Sequence, residues 1–417
     1  MINIKIVFLY SIFYILYIFP YIVTTANFSS NEVYIKKRNI KRSIEEINNF
    51  KYDNEIIDNL SINNRKKRSI RIRLGKYRWT TLIDYYVYFP LNVFSIRRAL
   101  KILETATCLR FKEEHSIKNC RSGLRFSASS FYDSHLGRQT ANSYQNIEIV
   151  KEYFNEGMIL RMVLRALGVI YEHTRVDRNY YVKVVEENIK PFAKKYFEIY
   201  KKHVFTHCII PYEYGSLMHF GMYNFSRNGG KTLIPRDRLY ENTIGQTDML
   251  TFNDVRTLNW YYCSDVCKIK IRCKNHGYQN PNDCSRCICI EGFVGDHCEK
   301  FARTRPYCKT SEIFVTNELV FFNISGVKNC VYHVMTNSFS KIKIILLKVR
   351  IDFLYPTTCS IGNTLEIKFL RDKTLAGARF CHQKFSKFIK SQNNYVIIQY
   401  NSYNPKSYVH MYFKRSH

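Results

Sequence analysis

The stretch Leu160–Asn179, which reads LRMVLRALGVIYEHTRVDRN, decides the fold class of this chain. Apolar residues recur at helical spacing until Gly168 ends the run, so the pattern predicts a helix over Met158–Leu167. At 100° per residue, one face of this helix is apolar, and Arg161 and Arg165 lie together on another face. We expect the apolar face to enter a core and the arginine face to line a cleft.

The same stretch matches the frame of a metal-binding motif. The zinc metallopeptidases called metzincins carry H-E-x-x-H-x-x-G-x-x-H. With Gly168 placed on the motif's Gly, the three His positions hold Arg161, Arg165 and Tyr171, and the Glu position holds Met162. The continuation E-H-T-R-V-D-R-N at residues 172–179 resembles the astacin family, which has E-x-x-R-x-D-R-[DN] there. The resemblance implies an α+β fold with a two-lobed, metzincin-like domain.

A second segment supports this resemblance. Residues 212–220, YEYGSLMHF, resemble the Met-turn that metzincins place beneath the metal, and Met218 matches the turn methionine. Astacins usually have a Tyr as a further metal contact where this chain has Phe220. The resemblance also implies structural roles, with Glu172 at the position of the Glu that receives the mature N-terminus. The positions with an implied structural role are Gly168, Glu172, Arg175, Asp177, Arg178 and Met218.

The substitutions remove the chemistry of the family's site. Zinc needs lone pairs from imidazole, thiolate or carboxylate, whereas arginine offers only donors and repels a cation. Met162 has no basic group that could take a proton from a metal-bound water. Zinc lowers the pKa of its water from about 15.7 to about 7, and nothing local replaces that effect. The sequence therefore predicts no zinc, no other cofactor and no catalytic residue.

The N-terminal region predicts secretion. Residues 1–26 combine Lys5, an apolar run and small residues before Ala26, which is the pattern of a signal peptide, although the run is also long enough for a signal anchor. Residues 27–68 are polar and resemble a propeptide, and Arg65–Arg68 (RKKR) fits the pattern cleaved by furin-like convertases. We expect an extracellular protein whose only contact with a membrane is an uncleaved signal segment.

Three modules are expected after the propeptide. Residues 69–263 form the astacin-like domain. Residues 264–299 hold six closely spaced cysteines that end in C-x-C-x8-C, which resembles an EGF-like module. Residues 300–417 alternate apolar and polar side chains in several strands and carry two equally spaced cysteine pairs, which resembles an all-β CUB domain.

Fourteen cysteines, an even number, can all be paired in a secreted protein. The resemblance to the three modules implies six of the pairs, and Cys120–Cys208 follows only by elimination. The implied pairs are Cys108–Cys263, Cys267–Cys284, Cys273–Cys287, Cys289–Cys298, Cys308–Cys330 and Cys359–Cys381. N-glycosylation is predicted at the sequons of Asn27, Asn59, Asn224 and Asn323.

The charge is strongly basic. The chain has a formal net charge of +30, and the part after residue 68 still carries +25. Such a field favours anionic partners, and for a secreted chain these are extracellular proteins or sulfated glycans rather than nucleic acid. For Arg161 and Arg165 the sharper hypothesis is that the two guanidiniums hold an anion in the cleft. The alternative is that they reach solvent or pair with local acids.

These observations favour a catalytically inactive metalloendopeptidase homologue that binds extracellular proteins or anionic glycans. One alternative is an active zinc metalloendopeptidase with a non-standard metal site, for which the pair His203 and His207 is the best candidate. The other is an adhesive EGF/CUB protein in which the first domain is a spacer.

Overall fold

The structure is a computed structural model that describes residues 77–117, 121–151, 155–200, 210–303, 305–351, 358–383 and 386–416. The predicted signal peptide and propeptide lie outside these residues, as do the predicted Cys120–Cys208 bond and the His203/His207 pair. Among the described residues, no helix has the length and apolar character needed to cross a bilayer.

The N-terminal domain begins with a five-stranded sheet and two helices. The sheet order is β2-β1-β3-β5-β4, with β4 antiparallel to β5 and the other neighbours parallel. Its elements are β1 (Leu82–Val87), α1 (Val93–Ala106), β2 (Arg110–Glu113), β3 (Gly123–Ser129), β4 (Asp133–Ser134), β5 (Gln145–Val150) and α2 (Glu156–Ala166). The expected first helix and the strands at Ile83, Leu124 and Ile147 are thereby confirmed.

The second half of this domain has little regular structure. Short 3-10 turns and the strand pair β6 (Val182–Val184) and β7 (Leu233–Pro235) precede α3 (Phe252–Tyr262). Thr251 caps α3 through a capping box with Asp254, which fixes where the expected last helix starts. The Cys108–Cys263 disulfide joins the end of α1 to the end of α3.

The EGF-like module consists of two small strand pairs. They are β8 (Tyr278–Asn280) with β9 (Asp283–Ile288), and β10 (Phe293–Val294) with β11 (Lys300–Phe301). Three disulfides hold it, in the pairing that the resemblance implies. A module this small has little core and depends on such bonds.

The CUB-like module is a sandwich of two sheets, as expected. One has the order β12-β14-β20-β16-β17, and the other has β13-β21-β15-β18, with β19 also paired to β15. The strands are β12 (Glu312–Phe314), β13 (Val320–Ser325), β14 (Lys328–Met335), β15 (Lys341–Arg350), β16 (Thr364–Lys368), β17 (Ala378–Phe380), β18 (His382–Gln383), β19 (Lys387–Lys390), β20 (Tyr395–Ser402) and β21 (Tyr408–Ser416). Its disulfides, Cys308–Cys330 and Cys359–Cys381, also join the implied pairs.

The CUB-like module packs directly on the N-terminal domain. The amide of Ala376 donates to the carboxylate of Glu213 at 2.6 Å, and the amide of Arg379 donates to the hydroxyl of Thr243 at 2.9 Å. Gly215 lies so close that an added Cβ would be 2.4 Å from the Cβ of Ala376. These residues are buried, so the two modules share an interior rather than a hydrated linker.

Candidate functional site

Helix α2 carries the positions that hold metal in the family. Its N-cap is Asn155, whose side chain accepts a hydrogen bond from the amide of Met158 at 3.1 Å. The expected helix over Met158–Leu167 is therefore confirmed, with two further residues at its start. Gly168 follows with φ +99°, a left-handed conformation that favours glycine, and it turns the chain away from the helix axis.

Arg161 points into the protein instead of into an open cleft. Its side chain is buried, and Nε donates to the carbonyl of Leu217 at 2.7 Å. One terminal nitrogen, Nη2, donates to the carbonyls of Gln246 at 2.9 Å and His219 at 3.3 Å. Burial lowers the pKa of Arg161 to about 10, which leaves the guanidinium charged at neutral pH. A buried cation thus occupies the position of the family's first His ligand.

Arg165 takes a different path. Its Nε donates to the carbonyl of Ser134 at 2.7 Å, and the guanidinium lies 4.7 Å from the ring centroid of Tyr171. Arg165 is only partly buried, whereas Arg161 is closed off by backbone carbonyls. The hypothesis that both arginines hold one anion in a cleft does not match these contacts, because Arg161 directs its donors to the protein's own backbone.

Met162 and Tyr171 are both part of the core. Met162 is buried and supplies no proton acceptor at the general-base position. Burial raises the pKa of Tyr171, against the opposing effect of Arg165 and Arg161. A phenolate that could bind a metal is therefore disfavoured at this position.

Phe220 closes the site from the other side. Its ring lies 4.2 Å from the ring of His173 and 4.6 Å from that of Tyr171, centroid to centroid. Phe197 and Phe225 complete the cluster at 5.6 Å each. Packed aromatic rings fill the volume in front of α2, and Phe220 has no hydroxyl to offer there.

The Met-turn is fixed from two sides. Asp254 on α3 accepts hydrogen bonds from the hydroxyl of Ser216 at 2.6 Å and from the amide of Leu217 at 2.9 Å. The carbonyl of Met218 accepts from the amide of Glu172 at 2.9 Å. The sequence places α3 correctly but does not indicate this role of Asp254, for which the T-x-x-D capping box at Thr251 is the only local signal.

The turn after Gly168 keeps the structural residues together. Arg175 forms buried ion pairs with Glu172 at 2.9 Å and with Asp177 at 2.8 Å. Burial alone would lower the pKa of Arg175, but the two carboxylates raise it. Glu172 also accepts from the amide of Glu213 at 2.7 Å, and Arg178 donates to the carbonyl of His173 at 3.0 Å. The expected contact of Glu172 with a mature N-terminus lies outside the described residues.

Two buried histidines next to the site were not singled out from the sequence. The Nδ1 of His173 accepts from the amide of Phe220 at 3.5 Å, and its Nε2 donates to the carbonyl of Tyr196 at 3.0 Å. His219 donates from Nδ1 to the carbonyl of Phe220 at 2.6 Å and accepts at Nε2 from the hydroxyl of Tyr212 at 2.7 Å. Both ring nitrogens of each histidine thus have protein partners in these tautomers.

These residues do not fit zinc. Arginine cannot ligate, Met162 and Phe220 supply no oxygen or nitrogen, and the two histidines use their lone pairs in hydrogen bonds. Within the described part of the chain, no three His, Cys, Asp or Glu side chains come together as a possible metal site.

The parallel sheet, the helix ended by Gly168 and the Met-turn beneath it together define the zinc metallopeptidase fold of the metzincin class. Residues 72–263 match the family model Astacin, which describes a family of peptidases, and through this domain the chain belongs to the astacin family.

The relatives are nematode proteins. The chain is 29% identical over 344 residues to zinc metalloproteinase nas-34 of Caenorhabditis elegans, which covers 82% of this chain and 56% of that protein. It is 31% identical over 330 residues to zinc metalloproteinase nas-36 of Haemonchus contortus, covering 78% of this chain and 53% of that protein. The chain therefore spans about half the length of these relatives.

A solved structure that resembles this chain is high choriolytic enzyme 1, a hatching-enzyme zinc protease of the medaka fish Oryzias latipes. The match has 25% sequence identity and a TM-score of 0.41, and it covers 46% of this chain and 98% of that one.

Proposed function

We propose that the chain is a secreted, non-catalytic member of the astacin family that acts by binding extracellular partners. One observation carries the proposal: the guanidinium of Arg161 is buried at the position of the first zinc ligand and bonded to three backbone carbonyls. A fixed positive charge there opposes a divalent cation and supplies no lone pair to it.

The surroundings support the same conclusion. The general-base position holds a buried methionine, and the position of the family's tyrosine contact holds Phe220 inside an aromatic cluster. The ion pairs of Arg175 with Glu172 and Asp177 are kept. The residues that maintain the fold are therefore present where those that perform the chemistry are replaced.

The rival enzyme would need another metal site. His173 and His219 are the nearest imidazoles on the described chain, and hydrogen bonds to protein groups occupy their ring nitrogens. The pair His203 and His207 lies outside the described residues. The rival adhesive protein requires the N-terminal domain to be a spacer, and the buried contacts of Glu213 and Thr243 with the CUB-like module weigh against this.

The test is the zinc content of the purified secreted protein together with digestion of a denatured protein substrate, with and without a chelator. We expect no stoichiometric zinc and no chelator-sensitive cleavage. A matched control is the variant R161H/M162E/R165H/Y171H, which places the family's ligand set on the same backbone and checks that zinc uptake would be detected. Stoichiometric zinc with chelator-sensitive cleavage in the unaltered protein would refute the proposal.

A further inference from the structure

We propose that the outward face of the CUB-like sheet formed by β13, β21, β15 and β19 binds a sulfated polysaccharide. We call this surface the outer CUB face, and it consists of the outward-pointing side chains of those four strands. The inference depends on the proposed function only in taking the chain to be secreted.

The first observation is a row of three lysines. In the strand register, Lys343 on β15 lies directly opposite Lys390 on β19 and directly opposite Lys414 on β21. All three side chains are exposed. Neighbouring strands are about 4.8 Å apart, so the row spans roughly 10 Å. Like charges directly opposite each other destabilise a sheet, and a bound anion would reverse that effect.

The second observation is that positive charge continues along the face. Lys348 lies opposite His410, and Arg350 lies opposite Tyr408, beyond a bulge in β15. Both Lys348 and Arg350 are exposed, and the ammonium of Lys348 is 5.2 Å from the ring centroid of Tyr408. The strands β13, β15, β19 and β21 contain no Asp or Glu. These four strands therefore contribute cations to the face and contribute no carboxylate.

The third observation is an apolar row between the two cationic rows. Register places Phe388 opposite Ile345, Ile345 opposite Tyr412, and Tyr412 opposite Phe321. The rings of Phe321 and Tyr412 are 5.0 Å apart, centroid to centroid. Flat rings beside cations suit a ligand that alternates apolar sugar faces with sulfate groups.

The geometry favours a polysaccharide over an anionic membrane. Surfaces that enter the lipid interface bury their apolar side chains about 5–10 Å deep. Here Ile345 and Tyr412 lie in the middle of a sheet, between rows of longer lysine side chains. An extended polyanion can lie across such a face, whereas a bilayer would meet the ammonium groups first.

The experiment measures binding of the full secreted chain to immobilised heparin, as the sulfated probe, at several salt concentrations. The variant K343Q/K390Q/K414Q removes the lysine row. The matched control K183Q/K194Q/K268Q removes three exposed lysines in other parts of the chain and changes the net charge equally. Because exposed ion pairs contribute a few tenths of a kcal/mol each, we expect about tenfold weaker binding for the first variant and a much smaller change for the control.

Further arms separate the other ligands. Desulfated heparin is expected to bind weakly, and neither phosphatidylserine vesicles nor polyglutamate should compete with heparin effectively. Each protein is measured with and without its N-glycans, because the predicted acceptor Asn323 also lies on β13. Thermal unfolding checks the fold, and the row variant should melt no lower than the unaltered protein because like-charge repulsion is relieved.

Equal losses in the two variants would show that binding follows net charge alone and would overturn the proposal. So would preferential binding to vesicles or to polyglutamate. The outcome is distinguishable from failure of the proposed function, because zinc-dependent cleavage is measured separately and does not involve these lysines.

Discussion

The Nε of Arg161 lies 2.7 Å from the carbonyl oxygen of Leu217, so a buried cation ties α2 to the Met-turn. In the family that the chain belongs to, a metal lies between these two elements. Here the connection is made by a side chain, and its strength depends on hydrogen bonds in a protein interior.

Replacing Arg161 by Met should destabilise the fold. The substitution keeps a long apolar stem but leaves the buried carbonyls of Leu217 and Gln246 without this donor, which costs about 3 kcal/mol in the free energy of unfolding. Urea unfolding measures the change. The matched control is Arg165→Met, where a partly buried side chain loses one carbonyl contact, and about 1 kcal/mol is expected. Equal effects in the two variants would contradict the structural role of Arg161.

Asp254 holds the same residue from its other side, since it accepts from the amide of Leu217 at 2.9 Å. Replacing Asp254 by Asn should cost about 2 kcal/mol, because a donor group replaces one acceptor of a buried carboxylate. The double variant with Arg161→Met should lose less than the sum, with a coupling of about 1 kcal/mol, because both changes release Leu217. Strict additivity in urea unfolding would show that the two contacts act independently.

Much of the fold could be predicted because local patterns decide it. The alternation in Gln145–Val150 places Ile147 and Ile149 in the core, and Asn92 and Thr251 cap helices that begin where the pattern predicts. The site was harder. Helical periodicity shows that Arg161 and Arg165 share a face, but it does not show what closes that face.

The groups that close it come from distant parts of the chain. The carbonyls around Arg161 belong to residues 56 and 85 positions away. An isolated helix would leave both arginines in a cleft, whereas the folded chain buries one and leaves the other partly open. This is why the hypothesis of a shared anion site was wrong in its geometry, although the loss of zinc ligands was readable from the residues alone.

Gly215 tests the contact between the N-terminal domain and the CUB-like module. Replacing it by Ala puts a methyl group 2.4 Å from the Cβ of Ala376, and this overlap should cost about 2 kcal/mol. The second change Ala376→Gly removes the opposing methyl and should restore part of the loss. Thermal unfolding measures both variants. If Gly215→Ala were as stable as the unaltered protein, the close packing of the two modules would be contradicted.

His333 should make stability depend on pH. Burial lowers its pKa to about 4, and its ring stacks on Phe301 at 3.9 Å between the CUB-like and EGF-like modules. A histidine whose pKa is lower in the folded state stabilises the fold fully above its unfolded value of about 6.5, and this stability is lost as the pH falls towards 4. The loss over this window should be on the order of 2 kcal/mol.

The variant His333→Phe keeps a ring against Phe301 and cannot be protonated, so its free energy of unfolding should fall less between pH 6.5 and pH 4. It gives up the hydrogen bond of Nδ1 with the hydroxyl of Tyr395, so its stability at pH 7 should drop by about 1 kcal/mol. Part of the acid sensitivity should remain, because burial and the neighbouring His219 also lower the pKa of His173. Parallel pH profiles for the two proteins, measured by urea unfolding, would assign the sensitivity to other groups and contradict a role for His333.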